Sequence, residues 1–102
     1  MRLKIRHLEV FNALFEAGSV SRAALRLNLS QPAVSVALGK LEEEFGMKLF
    51  HRDRGFFAPP REAVLLREEV RHGLAALTRI DQRADEIRAG SAGAISVATN
   101  GA

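Results

Sequence analysis

A chain of 102 residues has room for one compact domain and an appendage, and none for a large catalytic cleft. Its 47% hydrophobic and 26% charged residues give the balance of a folded globule, and the absence of cysteine excludes disulfide frameworks and thiolate metal sites. The net charge of +3 is uneven: residues 1–60 carry nine Lys/Arg against six Asp/Glu and residues 61–102 carry six of each, a surplus that suits a polyanion and equally an ordinary solvated surface.

In chain order, Leu8, Phe11, Leu14 and Phe15 recur at helical steps with Glu9, Asn12 and Glu16 between them, and Gly18 stops that first helix. Ser19-Val20-Ser21 offers hydroxyl caps for a short second helix with Ala23, Ala24 and Leu27 on one side, and Asn28 tolerates the left-handed turn that follows. Ser30 caps a third helix with Pro32 in its first turn. Val34, Leu38, Leu41 and Phe45 form its buried stripe, and Gly46 closes it. Residues 48–52 and 56–58 read as two short strands around Asp53-Arg54-Gly55, a hairpin with a permissive glycine.

Pro59-Pro60 starts a fourth helix, in which Ala63, Leu66, Val70, Leu74, Leu77, Ile80, Ala84 and Ile87 repeat at steps of three and four. At 1.5 Å per residue it would run roughly 40 Å, too far for so small a head to cover. Its apolar stripe must therefore meet a second copy or a domain outside this chain. Gly90-Ser91-Ala92-Gly93 is expected to end the helix, and Ala94-Ile95-Ser96-Val97-Ala98 alternates like a strand that has no partner here. The expected architecture is mainly α: a three-helix head with a two-stranded wing (residues 1–59), a long linker helix (60–90), then a hinge and first strand (91–102).

A helix-turn-helix needs a small residue where its helices cross, a turn residue that accepts positive φ and an apolar anchor on the second helix. Ala24, Asn28 and Val34 supply the three in order. These offsets also fit a plain three-helix bundle that binds nothing. The runs Gly18-Ser19-Val20-Ser21-Arg22-Ala23-Ala24, Ser30-Gln31-Pro32-Ala33-Val34-Ser35, Leu41-Glu42-Glu43-Glu44-Phe45-Gly46 and Leu49-Phe50-His51-Arg52 go further. Together they resemble the N-terminal domain of LysR-type transcriptional regulators, over about residues 4 to 98.

That resemblance implies a winged helix-turn-helix head that binds double-stranded promoter DNA, a linker helix that makes an antiparallel homodimer, and a C-terminal domain that takes a small-molecule effector. Tetramers are expected only of the full-length regulator. This chain stops where the effector domain's first strand would begin, so a piece of a longer regulator is expected. Two positions depart from the pattern. Val36 stands where a polar or basic residue is usual, and Pro60 where the linker helix usually starts with threonine. The Pro59–Ala63 run and Glu68-Glu69-Val70 look more like the branch that regulates amino-acid and opine metabolism than the branch for aromatic degradation.

In helix-turn-helix proteins the first turns of the recognition helix face base edges, which selects Gln31, Pro32, Ser35 and Val36. Gln31 can pair with adenine, Pro32 and Val36 can pack on thymine methyls, and Ser35 can bond to a base or a phosphate. A capping role is the alternative for Gln31, and a solvated hydroxyl for Ser35. Ser21, Arg22, Ser30, Lys40, Arg52 and Arg54 are the candidates for the DNA backbone or minor groove, with surface ion pairs as the alternative for the two wing arginines. Leu66, Val70, Leu74, Leu77, Ile80, Ala84 and Ile87 are expected to form the dimer seam.

Other classes fare worse. An enzyme has little to work with: tyrosine and tryptophan are absent, and His7, His51 and His72 are scattered without ligand spacing. No cofactor is expected. A protein-interaction module that keeps the helix-turn-helix only as scaffold is the second rival. The basic N-terminus has no apolar run of signal-peptide length behind it, and no stretch approaches a membrane span, so a cytoplasmic protein without a membrane partner is expected.

Overall fold

The computed structural model describes residues 3–51 and 58–97, with the backbone alone at 91–97. Four helices follow in order: α1 (Ile5–Ala17), α2 (Val20–Leu27), α3 (Gln31–Phe45) and α4 (Arg61–Val97). Helix α1 begins three residues ahead of the apolar periodicity, because Lys4 takes an extended conformation and its carbonyl accepts from the His7 and Leu8 N–H groups. Ile5 and Arg6 in that first turn are exposed, so they leave no trace in the hydrophobic pattern.

The local stops and starts follow side-chain chemistry. Gly18 ends α1 at φ 84°, a backbone region that costs a glycine little. The Ser19 hydroxyl accepts from the Arg22 N–H and the Ser30 hydroxyl from the Ala33 N–H, each at 3.2 Å, so both serines are helix caps. Asn28 turns the chain between α2 and α3 at φ 58°, ψ 45°, and lets the Leu29 N–H reach back to the Ala24 carbonyl at 2.9 Å.

One apolar core holds the head and the start of α4 together. Val10, Phe11 and Leu14 of α1, Ala23 and Ala24 of α2, Val34, Leu38 and Leu41 of α3, then Leu49 and Phe50, are buried with Ala63 and Val70 of α4. No polar or charged residue is buried among the described residues. Ala23 and Ala24 present only a methyl group each, which lets α2 lie close on α1 and α3. Phe15 meets Phe11 edge-on at 5.1 Å, and the Arg67 guanidinium lies 5.3 Å over the Phe15 ring, tying α4 to α1. A Glu16–Arg26 pair at 3.6 Å links α1 to α2.

Two expectations need correction here. The long helix does not stop at Gly90 and residues 94–97 are not a strand, because α4 continues to Val97. A strand needs a neighbour for its N–H and C=O groups, whereas a helix satisfies them within itself, at a cost of about 1 kcal/mol for each glycine it takes in. The expected dimer stripe is also divided. Val70 is 5% exposed under the head of its own chain, and Leu66 and Leu74 are half-buried against the same core, so these three first serve to seat α4.

Of the expected wing, residues 52–57, with the turn, the last residue of the first strand and most of the second, lie outside the described residues, and no strand forms among the described ones. Leu49 and Phe50 are held by Glu42. One oxygen of its carboxylate, Oε2, accepts from the Leu49 N–H at 2.8 Å and the Phe50 N–H at 3.3 Å. Two charge-assisted bonds in a part-buried setting thus satisfy these N–H groups. Glu42→Ala is therefore expected to cost about 2 kcal/mol, with Glu42→Gln losing less because its amide oxygen can still accept. Urea unfolding of the two variants checks this.

On the outer face of α4, Arg71 donates to Glu68 at 2.6 Å, and first that hydrogen bond, then the guanidinium charge, hold the Glu68 carboxyl below the usual carboxylate range. Its folded-state value being depressed, the pair supports the helix at neutral pH and that support is lost as pH falls through the lowered value. Both side chains are half exposed, so the support is slight.

Candidate nucleic-acid interface

The sequence places Gln31, Pro32, Ser35 and Val36 on two successive turns of α3, and the structure brings them together. They share one shallow groove with Gly39, Lys40, Glu43 and, from the start of α2, Val20. Gln31, Pro32, Lys40 and Glu43 are exposed, Ser35 is half-buried and Val36 is 60% exposed. Helix α3 thus has two unlike faces. Val34, Ala37, Leu38 and Leu41 fill the core, and the face opposite is covered by no other part of the described chain.

Each helix end around the groove has a separate role. Because Ser30 makes the α3 cap, Gln31 is released from that task, and its amide makes no hydrogen bond among the described residues. The Ser30 hydroxyl is correspondingly engaged, as is Ser21, which lies 3.3 Å from the Ser19 hydroxyl. Arg22 and Lys40 are exposed and form no ion pair among the described residues, unlike Arg26, which is tied to Glu16. Beside a polyanion, such unpaired cations are the ones that exchange counterions for phosphate. Arg52 and Arg54 lie outside the described residues.

Two residues here were missed on the sequence. Glu42 occupies a slot on the apolar face, at the 38, 41, 42, 45 spacing that marks a helix's core side. A carboxylate in such a slot signals a buried partner. Glu43 was given no role on the sequence, yet it shares the groove with Ser35 and Val36. It is an acceptor only, able to take a hydrogen bond from the cytosine amine and repelled by phosphate. Among the described residues no three His, Cys, Asp or Glu side chains form a metal-binding group, and no helix is long and apolar enough to cross a membrane.

A capped α2, a left-handed Asn28, an anchored α3 and an open outer face on α3 define a helix-turn-helix protein. Residues 5–61 match the family of the bacterial regulatory helix-turn-helix protein, lysR family, and the chain belongs to that family. It is 40% identical to the transcriptional activator protein LysR of Escherichia coli (strain K12) over 94% of this chain and 31% of that protein. Among solved structures it resembles the BenM DNA-binding domain in complex with catB site 1 DNA, with a TM-score of 0.81 and 27% identity, covering 87% of this chain and 96% of that one. The CbnR DNA-binding domain in complex with DNA gives a TM-score of 0.78 and 28% identity, covering 84% and 99%. The chain spans 28% to 33% of the length of three curated relatives it matches.

Proposed function

We propose that this chain is the DNA-reading part of a LysR-type transcription regulator, which binds a partly palindromic promoter site as a homodimer and acts in the cytoplasm. The observation that carries this reading is the outer face of α3, where Gln31, Pro32 and Val36 stand exposed beside a half-buried Ser35 while Val34, Leu38 and Leu41 are fixed in the core. A helix so mounted fits the major groove by its first turns, and the BenM and CbnR domains of like fold are crystallised on DNA. Gln31 would read adenine, Pro32 and Val36 thymine methyls, and Ser35 a base or phosphate.

Arg22 and Lys40 would grip phosphate, helped by Ser21 and Ser30 through their backbone groups and by the wing arginines Arg52 and Arg54. The head (residues 1–59) would be paired to a second copy through the linker helix, by Leu77, Ile80, Ala84 and Ile87. A small-molecule effector would act through a separate domain of the longer regulator, which alone would form tetramers.

A band-shift titration over salt tests the reading. Arg22→Ala and Lys40→Ala are each expected to weaken binding to every sequence about three- to tenfold and to flatten its salt slope by about one. Gln31→Ala should instead reduce the preference for the specific site, by about 1–3 kcal/mol. If the unaltered chain shows no affinity for duplex at low salt, the helix-turn-helix is scaffold only and the proposal fails.

A further inference from the structure

Arg67 occupies a side of α4 where a charge is out of place. It falls between Ala63, Leu66 and Val70 on the face that seats the helix on the head, and it is itself half-buried. Arg71, Arg83 and Arg88 each meet a carboxylate three residues away, but the positions three and four residues from Arg67 hold Ala63, Val64, Val70 and Arg71. Arg67 forms no ion pair among the described residues, and its Nε is buried with no hydrogen-bond partner. What it meets is the Phe15 ring of α1, whose centre lies 5.3 Å from the guanidinium carbon. Burying Nε unpaired costs stability, so an arginine is a poor choice if filling the seat is its whole task.

The rest of the seat has no means of fixing an angle. Among the described residues no hydrogen bond or ion pair joins α4 to α1, α2 or α3. Ala63, Leu66, Val70 and Leu74 hold α4 by apolar contact, which selects a face but tolerates a few degrees of tilt. A cation over a ring is directional, because the attraction needs the charge above the ring face and within about 6 Å of its centre. Arg67 on Phe15 is thus, among the described residues, the one directional contact between linker helix and head. Tilt matters because α4 packs chiefly on α1, while α3 packs on α1 and α2 and is carried by them as on a lever. Across 20 Å, the molecule's shortest dimension, a tilt of about 10° moves the far side by roughly 3.4 Å, the rise of one base pair.

Resting on the reading that two joined heads bind two half-sites, we propose that Arg67 is a positioning residue. Held over Phe15, it fixes the angle between head and linker helix, and thereby the half-site spacing that the regulator accepts; it touches no DNA itself. Affinity for duplexes that carry two half-sites, selected from random sequence and set apart in steps of one base pair, reads the effect. The unaltered chain should prefer one spacing over its neighbours by about tenfold, and Arg67→Met, which keeps an unbranched chain without the charge, should lower that preference to about twofold. Arg67→Lys, which can return a cation to the ring, should recover most of it. Affinity for a single half-site should be unchanged in both, which separates positioning from a general loss of fold. Because the chain has no cysteine, spin labels at Leu25→Cys on α2 and Gln82→Cys on α4, in chains diluted with unlabelled ones, read the joint without DNA. The label distance should be narrow in the parent and broad with Arg67→Met. If Arg67→Met leaves the spacing preference or the label distance as sharp as the parent's, the proposal is overturned. It is overturned also if Arg67→Met unfolds the chain, since Arg67 would then serve folding alone. If the unaltered chain binds duplex but prefers no spacing, the two-headed reading fails and takes the spacing claim with it, whatever the label distances show.

Discussion

Val36→Glu is expected to abolish duplex binding, weakening it by about 100-fold or more, and to leave thermal stability within about 0.5 kcal/mol of the parent. The two halves of this expectation come from one number. Val36 is 60% exposed on α3, so its side chain contributes little to the core and glutamate replaces it without strain or cavity. Glutamate is also the better helix former. In the groove the same substitution brings a carboxylate to a surface that must approach a polyanion. Its charge would be stripped of water beside Glu43, which already adds negative charge to the groove. Fluorescence anisotropy on a site selected from random duplexes, read beside a thermal melt, checks both. Unchanged affinity would mean that the open face of α3 does not enter the DNA.

What the sequence displays and what it conceals divide by range. The helix-turn-helix was legible because its chemistry is local: Ser19 and Ser30 cap the residues three places on, Gly18 and Asn28 take left-handed angles, and Val34 repeats with Leu38 and Leu41. Exposure of Pro32 and Val36 follows from the same periodicity, since a helix that buries Val34 and Leu38 must turn residues 32 and 36 outward. Glu42 escaped because its partners are backbone N–H groups seven and eight residues on, with a turn between. The stripe on α4 was visible, but periodicity names a face without naming what covers it. Only packing assigns Val70 to the head and leaves Ile80 and Ile87 exposed. The end of α4 was misplaced because a strand pattern over five residues carries no energy unless another strand lies beside it.

Phe11→Ala should cost about 3–5 kcal/mol, enough to consume much of the roughly 5–15 kcal/mol of a typical domain and to lower the melting temperature by more than 10 °C. Phe11 is fully buried where α1 meets the rest of the core, and its ring packs edge-on against Phe15. Removing it opens a cavity and also frees Phe15, the ring on which Arg67 of α4 rests. Loss of this one side chain therefore loosens the joint between head and linker helix as well as the head itself. Phe11→Leu, which refills most of the volume, should recover more than half of the loss, and near-equal melting of both variants with the parent would place the core elsewhere. The contrast with Val36→Glu is what makes the pair informative. Because head and α4 share a single core, a wound at Phe11 should remove folding, pairing and DNA affinity together over the same range of temperature, whereas a charge at Val36 should remove only the last.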